Sequence, residues 1–378
     1  MSMFYELMMK NKTKIMYATI KGSLTENDDV FSGFSASNYL QLQQSLSNIN
    51  NFEIQVKIRT AEGTTFYRCI FGSLETRELT LAQGSSSKLL LQLGNNGSSY
   101  AVELTGTTNL QPLTDYYIRV IYNNGTFSLL LSSDGINWNN EGSVTYTIST
   151  VTFIFGNGWN LGTYYWRGSI DLPNSYIKLG ATKYNLQAVV GYTIVGSPTI
   201  IDEVLINPTD KQNTIQTAEA LDVGNGSFEM QFCLLNPTVK GTPLFRIVGN
   251  NGSRCTFSAT NTFNLYPNYQ TDSSVVLRAL GNFWSSAINN SAQKVYLRIK
   301  CTGKDSNNEY PFIFSASTDS MTWNTTTVIS SLPLATGKIT YCSSYASYQT
   351  GYVVGYDLDL KETWIKKDGK LWFNGQQA

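Results

Sequence analysis

Several stretches of this chain set aromatic rings beside amides and glycines. One reads Gly156-Asn157-Gly158-Trp159-Asn160-Leu161-Gly162-Thr163-Tyr164-Tyr165. Its counterpart late in the chain includes Tyr345 and Tyr348, and a further excursion, Gly281-Asn282-Phe283-Trp284, has no match in the first half. Rings of this kind stack on the apolar face of a pyranose while neighbouring amides bond its hydroxyls. Trp159, Tyr164, Tyr165, Phe283, Trp284, Tyr345 and Tyr348 are therefore the candidate ligand-binding residues. The same residue types also serve loop packing or a subunit contact, and both readings stand at this point.

Catalytic chemistry finds less material. Glycoside hydrolysis needs paired carboxylates. The best acidic alternation is Asp357-Leu358-Asp359, with Ile170-Asp171 in the first half, and a solvated face explains it more simply. The chain has no histidine, which removes the commonest general base and the commonest metal ligand together. No catalytic residue is named, and the chain is expected not to be an enzyme. Asp134 with Asn137, or Asp319, carry oxygens that suit calcium, but capped turns account for them, so no metal and no cofactor is expected. The cysteines, Cys69, Cys233, Cys255, Cys301 and Cys342, are odd in number and nowhere in a CxxC spacing. They are expected to be mostly free, buried thiols.

Lys plus Arg is 27 and Asp plus Glu is 27, so no clustered cations offer themselves to phosphate and nucleic acid is excluded as an expected partner. The stretch Met1 to Lys12 lacks the order and cleavage site of a signal peptide, and no window reaches the roughly 18 apolar residues of a membrane span. The expectation is a chain made in a cytoplasm without membrane insertion.

The elements that must position the aromatic loops are strands. Phe52, Ile54, Val56 and Ile58 alternate with Glu53, Gln55, Lys57 and Arg59, a period of two with one face buried and one wet. Phe228, Met230, Phe232 and Leu234 repeat the row at an offset of 176 (52 to 228). Tyr117 and Arg119 face outward between Ile118 and its neighbours, and Tyr296 and Arg298 repeat them at an offset of 179 (117 to 296). The turn Ser133-Asp134-Gly135-Ile136-Asn137-Trp138 returns as Thr318-Asp319-Ser320-Met321-Thr322-Trp323, offset 185, and Asp171 of the closing strand returns as Asp359, offset 188. The drift places longer loops in the second half. One of them, Gly303 to Glu309, is a place where the halves are expected to differ in function. Dense Asn-Gly and Asp-Gly turns between short strands predict an all-β sandwich or jelly roll, and the only helical signal is weak, near Thr217 to Leu221. The chain of 378 residues is expected to form two domains, 1–186 and 187–378.

In order, Val30 to Leu40, Phe52 to Arg59, Tyr117-Ile118-Arg119, Ser133 to Trp138 and Gly168 to Leu172 resemble the concanavalin A-like, laminin-G-like jelly-roll domains of bacteriophage tail and virion proteins. The ending Ile365 to Phe373 is similar to the way such domains finish. The resemblance implies two tandem concanavalin A-like jelly-roll β-sandwiches in a virion structural protein, tail-associated or surface-exposed. It implies other virion proteins as partners, host cell-surface polysaccharide as a ligand, and a homo-oligomer as one arrangement. A purely architectural virion protein that uses the sandwiches for subunit contacts is the alternative. The resemblance supplies no ligand site, because the matching residues are scaffold positions.

Overall fold

The computed structural model describes residues 14–46, 50–63, 67–74, 78–96, 99–148, 150–158, 164–195, 197–206, 214–238, 242–248, 254–259, 263–267, 276–281, 283, 286–287, 290–341 and 356–377. The regular structure of the described chain is almost all β-strand, joined by turns. It divides into two compact units, Met1–Ala188 and Val189–Ala378.

In the first unit the alternating strand Asn51–Arg59 is central. It pairs antiparallel with Asp115–Asn123 on one side and with the closing strand Ser169–Leu179 on the other. Asp115–Asn123 continues through Thr126–Ser132 into Asn139–Thr145. A second antiparallel layer runs from Lys14–Lys21 through Tyr39–Leu42, Phe153–Phe155, Arg68–Ser73, Leu79–Gln83 and Lys88–Asn96 to Ser99–Asn109. Inward side chains of both layers share one core, where the Phe52 ring meets Phe153 edge-on at 6.2 Å between centroids. Each large apolar side chain fully buried there contributes about 1.5–3 kcal/mol.

The second unit repeats this plan. Phe228–Leu235 lies between Lys294–Cys301 and two short closing strands, Asp357–Asp359 and Trp364–Lys367. Lys294–Cys301 continues into the hairpin Tyr310–Ser317 and Asn324–Ser330. The opposing layer includes Lys338–Tyr341, Thr242–Val248, Arg254–Ala259, Phe263–Tyr266 and Leu277–Ala279. Phe232 stacks on Phe245 at 5.2 Å across the layers. The weak helical signal near Thr217 is overridden: Thr214–Thr217 is a strand, and Leu221 makes an isolated bridge to Gly337.

The two closing strands share an irregularity that the sequence offsets align. In the first unit the register breaks between Asp171 and Tyr176. The Ser175 hydroxyl fills the gap, donating to the Asp171 carbonyl (2.6 Å) and accepting from the Lys57 N–H (3.0 Å). Thr363 does the same in the second unit, with the Asp359 carbonyl (2.6 Å) and the Cys233 N–H (3.4 Å). Gln55 and Gln231 donate their side-chain amides across it to the carbonyls of Asn174 (3.1 Å) and Glu362 (2.8 Å).

Cys69, Cys233, Cys255 and Cys301 are buried and free; Cys342 lies outside the described residues. Among the described residues, no helix is long and apolar enough to cross a membrane.

Candidate functional site

The site grows from the two turns that the sequence repeats. In the first, Asp134 Oδ1 accepts the N–H groups of Ile136 and Asn137 (both 2.8 Å) and the Ser132 hydroxyl (2.9 Å). In the second, Asp319 Oδ1 accepts Met321 N–H (2.8 Å), Thr322 N–H (2.7 Å) and the Ser317 hydroxyl (2.8 Å). These bonds favour the ionised form. They hold the Asp134 carboxyl well below the ordinary carboxylate range and bring Asp319 to about 2. Each aspartate thus caps its own turn through Oδ1.

Beyond the turns the two units part. In the first, the strand Asn139–Thr145 bulges against its neighbour: Leu130 faces Asn140 and Leu129 faces Gly142, so Glu141 is the extra residue. A bulge re-aims the side chain it carries, and Glu141 becomes 2% exposed. Its Oε2 accepts Thr107 N–H (2.6 Å), Thr107 Oγ1 (3.0 Å) and Thr108 N–H (2.8 Å), while Oε1 accepts Thr108 Oγ1 (2.6 Å). Burial alone would raise the Glu141 pKa. The donors of Thr108 and Thr107 outweigh it and hold the carboxyl below its ordinary value. Gly106 is needed beside it, since a Cβ there would meet Oε2 at 2.8 Å. The carboxylate staples one layer to the other along this side of the unit.

At the offset of 185, Thr326 takes the place of Glu141. The register of Asn324–Ser330 against Tyr310–Ser317 is unbroken, with Phe314 facing Thr326. There is no bulge, and Asn324, Thr325, Thr326 and Thr327 are all exposed. Instead of a stapled seam, the second unit has a cleft of about 780 Å³. One wall is Thr318 and Asn324 to Thr326. The other is the excursion between Ala279 and Lys294, which presents Leu280, Phe283, Ser286, Ala287 and Asn290. The first unit spans the equivalent gap with residues 110–114 alone. Phe283 is half-buried, with its ring 6.5 Å from Phe263 of the core and its remainder in the cleft wall. Every described lining residue is neutral, and the sequence from Leu280 to Gln293 contains no ionisable side chain. Hydroxyls, amides and one ring over a modest apolar floor suit a ligand rich in neutral hydroxyls.

The candidate residues do not converge. Phe283 lies in this cleft. Tyr164, 58% exposed, belongs to the first unit, where its ring meets Tyr67 edge-on at 5.2 Å and its carbonyl accepts the Cys69 N–H. Tyr165 is half-buried against the first core and bridges to Cys69. Both tyrosines make packing contacts within the first unit. Trp159, Trp284, Tyr345 and Tyr348 lie outside the described residues. The loop Gly303 to Glu309, a suspected place of divergence, is closed on itself. Asp305 Oδ1 accepts the N–H groups of Asn307 (2.8 Å) and Glu309 (2.9 Å), and Lys304 N–H reaches the Asn225 carbonyl (3.1 Å). Among the described residues no group of three His, Cys, Asp or Glu is placed to hold a metal ion. Thr318, Asn324, Thr325 and Thr326 were missed by sequence reasoning, whose only signal for them was the change from Glu141 to Thr326 at aligned positions.

No family model matches this chain, and no curated protein matches it. Solved structures similar to it include domains LG4-5 of the mouse laminin alpha1 chain, at 12% identity over 96% of this chain and 95% of that one, with a TM-score of 0.32. Another concerns botulinum neurotoxin type C, whose cell entry depends on two ganglioside molecules: 11% identity, 90% and 92% coverage, TM-score 0.33. A third is the Ruminococcus gnavus IT-sialidase CBM40 bound to alpha2,3 sialyllactose, at 12% identity over 32% of this chain and 73% of that one, TM-score 0.27. At these scores the fold rests on the strand pairing above, and none of the three argues for a function.

Proposed function

We propose that the chain is a non-catalytic glycan-recognition protein and that the cleft of the second unit holds a neutral saccharide. The observation that carries this reading is the cleft wall itself: Ser286, Asn290, Thr318, Asn324, Thr325 and Thr326 beside Phe283, with no charge among them. A pyranose presents hydroxyls that need amide and hydroxyl partners, and an apolar face that a ring can cover. A strongly apolar ligand would leave those groups unpaired, at a cost of about 1–3 kcal/mol each, and an ionic one would find no counter-charge in the wall. The particle context implied by the resemblance, a bacteriophage tail or surface component meeting host polysaccharide, belongs to the same proposal.

The test is a glycan array with the full chain, followed by titration of the best neutral oligosaccharide against Phe283→Ala and Asn324→Ala. Each variant is expected to weaken binding about tenfold, corresponding to about 1.4 kcal/mol. A blank array from a protein that copurifies stoichiometrically with particles would overturn the reading in favour of the architectural one. One observation favours that second reading. Ile136 and Met321 stand at matching turn tips and are 80% and 82% exposed, which suits a subunit contact made by both units.

A further inference from the structure

We propose that the outer face of the second unit carries a separate acidic-sugar site, centred on Arg298 and flanked by Trp323 and Trp364, which takes the carboxylate of a hexuronate residue. It is independent of the neutral cleft and rests on a comparison of matching positions within the chain.

In the first unit Arg119 has an internal carboxylate beside its Nε. Its Nε donates to Gln55 Oε1 (2.9 Å), its guanidinium lies 3.9 Å over the Trp138 ring, and Glu53 Oε1 is 3.2 Å from Nε. The Tyr176 hydroxyl donates to the same Glu53 oxygen and aims it at the arginine. The second unit rebuilds the cradle without its carboxylate. Arg298 Nε donates to Gln231 Oε1 (2.8 Å), and the guanidinium lies 4.1 Å over Trp323. The place of Tyr176, directly across from the glutamine in register, is taken by Trp364. An indole has no hydroxyl there to aim Glu229, the counterpart of Glu53.

Among the described residues Arg298 has no carboxylate partner and Glu229 is in no ion pair. Glu229 stands in register with Lys300 on one side and Lys366 on the other. Two further acids of this face, Asp359 and Glu362, lie 3.5 and 3.1 Å from Lys294. The Nη edge of Arg298 is therefore left for an acceptor from outside, in a neighbourhood where three cations surround one acid.

What fits is dictated by the parts. A guanidinium fork pairs best with a carboxylate, two parallel N–H···O bonds to a planar group. Glu53, 3.2 Å from Arg119 Nε, shows that the equivalent arginine of the first unit has a carboxylate beside it. Trp323 at 4.1 Å and Trp364 at 5.7 Å from the guanidinium carbon add two indole surfaces beside that position, and Lys366 Nζ lies 4.8 Å over the second. An acidic peptide would use the fork and leave the indoles idle. A uronic acid supplies both a carboxylate and a pyranose C–H face for stacking.

The experiment is a tryptophan-fluorescence titration of the full chain with an oligogalacturonate and with its methyl ester, the same chain without charge. The acid is expected to perturb the emission and to bind at least tenfold more tightly than the ester, with affinity falling as salt rises. Arg298→Gln and Arg298→Lys are each expected to lose at least tenfold with the thermal midpoint kept. The lysine variant checks that the fork, and not charge alone, is required. Arg119→Gln should leave the titration unchanged. Trp364→Tyr restores the hydroxyl of the first unit, and by drawing Glu229 onto Arg298 it should weaken acid binding while preserving the fold. Phe283→Ala and Asn324→Ala should leave acid binding intact, which separates this site from the cleft. Equal binding of acid and ester, an unaltered titration in Arg298→Gln, or equal binding of a poly-glutamate peptide would overturn the proposal.

Discussion

Replacing Glu141 by Gln tests the claim that one buried carboxylate closes the first unit where the second stays open. The carboxylate receives four hydrogen bonds, three of them at Oε2. Hydrogen bonds to a charged acceptor contribute about 1.5–3 kcal/mol each, against about 0.5–1.5 kcal/mol for neutral ones. If the amide oxygen of Gln takes the place of Oε2, three bonds fall from the first class to the second, a loss of about 3 kcal/mol. For a unit of this size each kcal/mol moves the midpoint by about 2–4 °C, so the first-unit transition should drop by roughly 6–12 °C at pH 7. The pH dependence follows from the depressed pKa. The stabilisation is fully present above the unfolded value of about 4.3 and is lost as pH falls through the lower folded value. Wild type should therefore approach the variant below about pH 4, measured by thermal unfolding at steps from pH 7 to pH 3. Equal midpoints at pH 7 would refute the staple, and a gap that persists undiminished at pH 3 would show that the charge is not its cause.

Three further outcomes are expected. Asp319 should titrate near pH 2 by carboxyl NMR; because this lies below the unfolded value of about 3.9, its contribution holds above pH 4 and fades toward pH 2, and a midpoint above 3.5 would contradict the capped turn. Gly156 has φ +83°, and a Cβ there would run into the Phe34 ring, so Gly156→Ala should lower the first-unit midpoint strongly, whereas Gly63→Ala, whose Cβ meets nothing within 4 Å, should show only the backbone cost of about 1–2 kcal/mol. Burial raises the Cys69 and Cys233 thiols to about 12 and lifts Cys255 and Cys301 as well, so alkylation mapped by mass spectrometry should label these four only in denaturant; rapid labelling of any of them in the native protein would contradict the packing.

The framework was legible because it is written in local patterns. Period-two rows such as Phe52 to Ile58 and Phe228 to Leu234 became central strands, and the aligned tryptophans fixed the register in which Arg119 and Arg298 both meet an indole. The aromatic loops were less legible because a ring beside glycine and asparagine has the same sequence signature whether it stacks on a ligand or packs edge-on against another ring, as Tyr164 does against Tyr67. Only one wall of the cleft was legible, as the excursion that carries Phe283. Its walls come from the excursion after Ala279 and from the strand Asn324–Ser330, and what matters at the strand is a bulge that is absent.

That absence explains how matching positions came to serve different ends. Glu141 costs the first unit a break in its ladder at Leu129 and Leu130, and its four acceptor bonds offset the break. Thr326 brings neither the break nor the bonds, so the second unit keeps a straight, exposed strand beside the 280–293 excursion. The outer face follows the same logic at Tyr176 and Trp364. A hydroxyl that commits Glu53 to Arg119 is exchanged for an indole that commits nothing, and Arg298 keeps a fork with no carboxylate among the described residues. In both places the second unit lacks an internal carboxylate contact that the first unit makes within itself. Recognition is thus expected to concentrate in the second unit. Thr326→Glu combined with Trp364→Tyr should suppress neutral and acidic binding alike, while Arg119→Gln in the first unit should change neither.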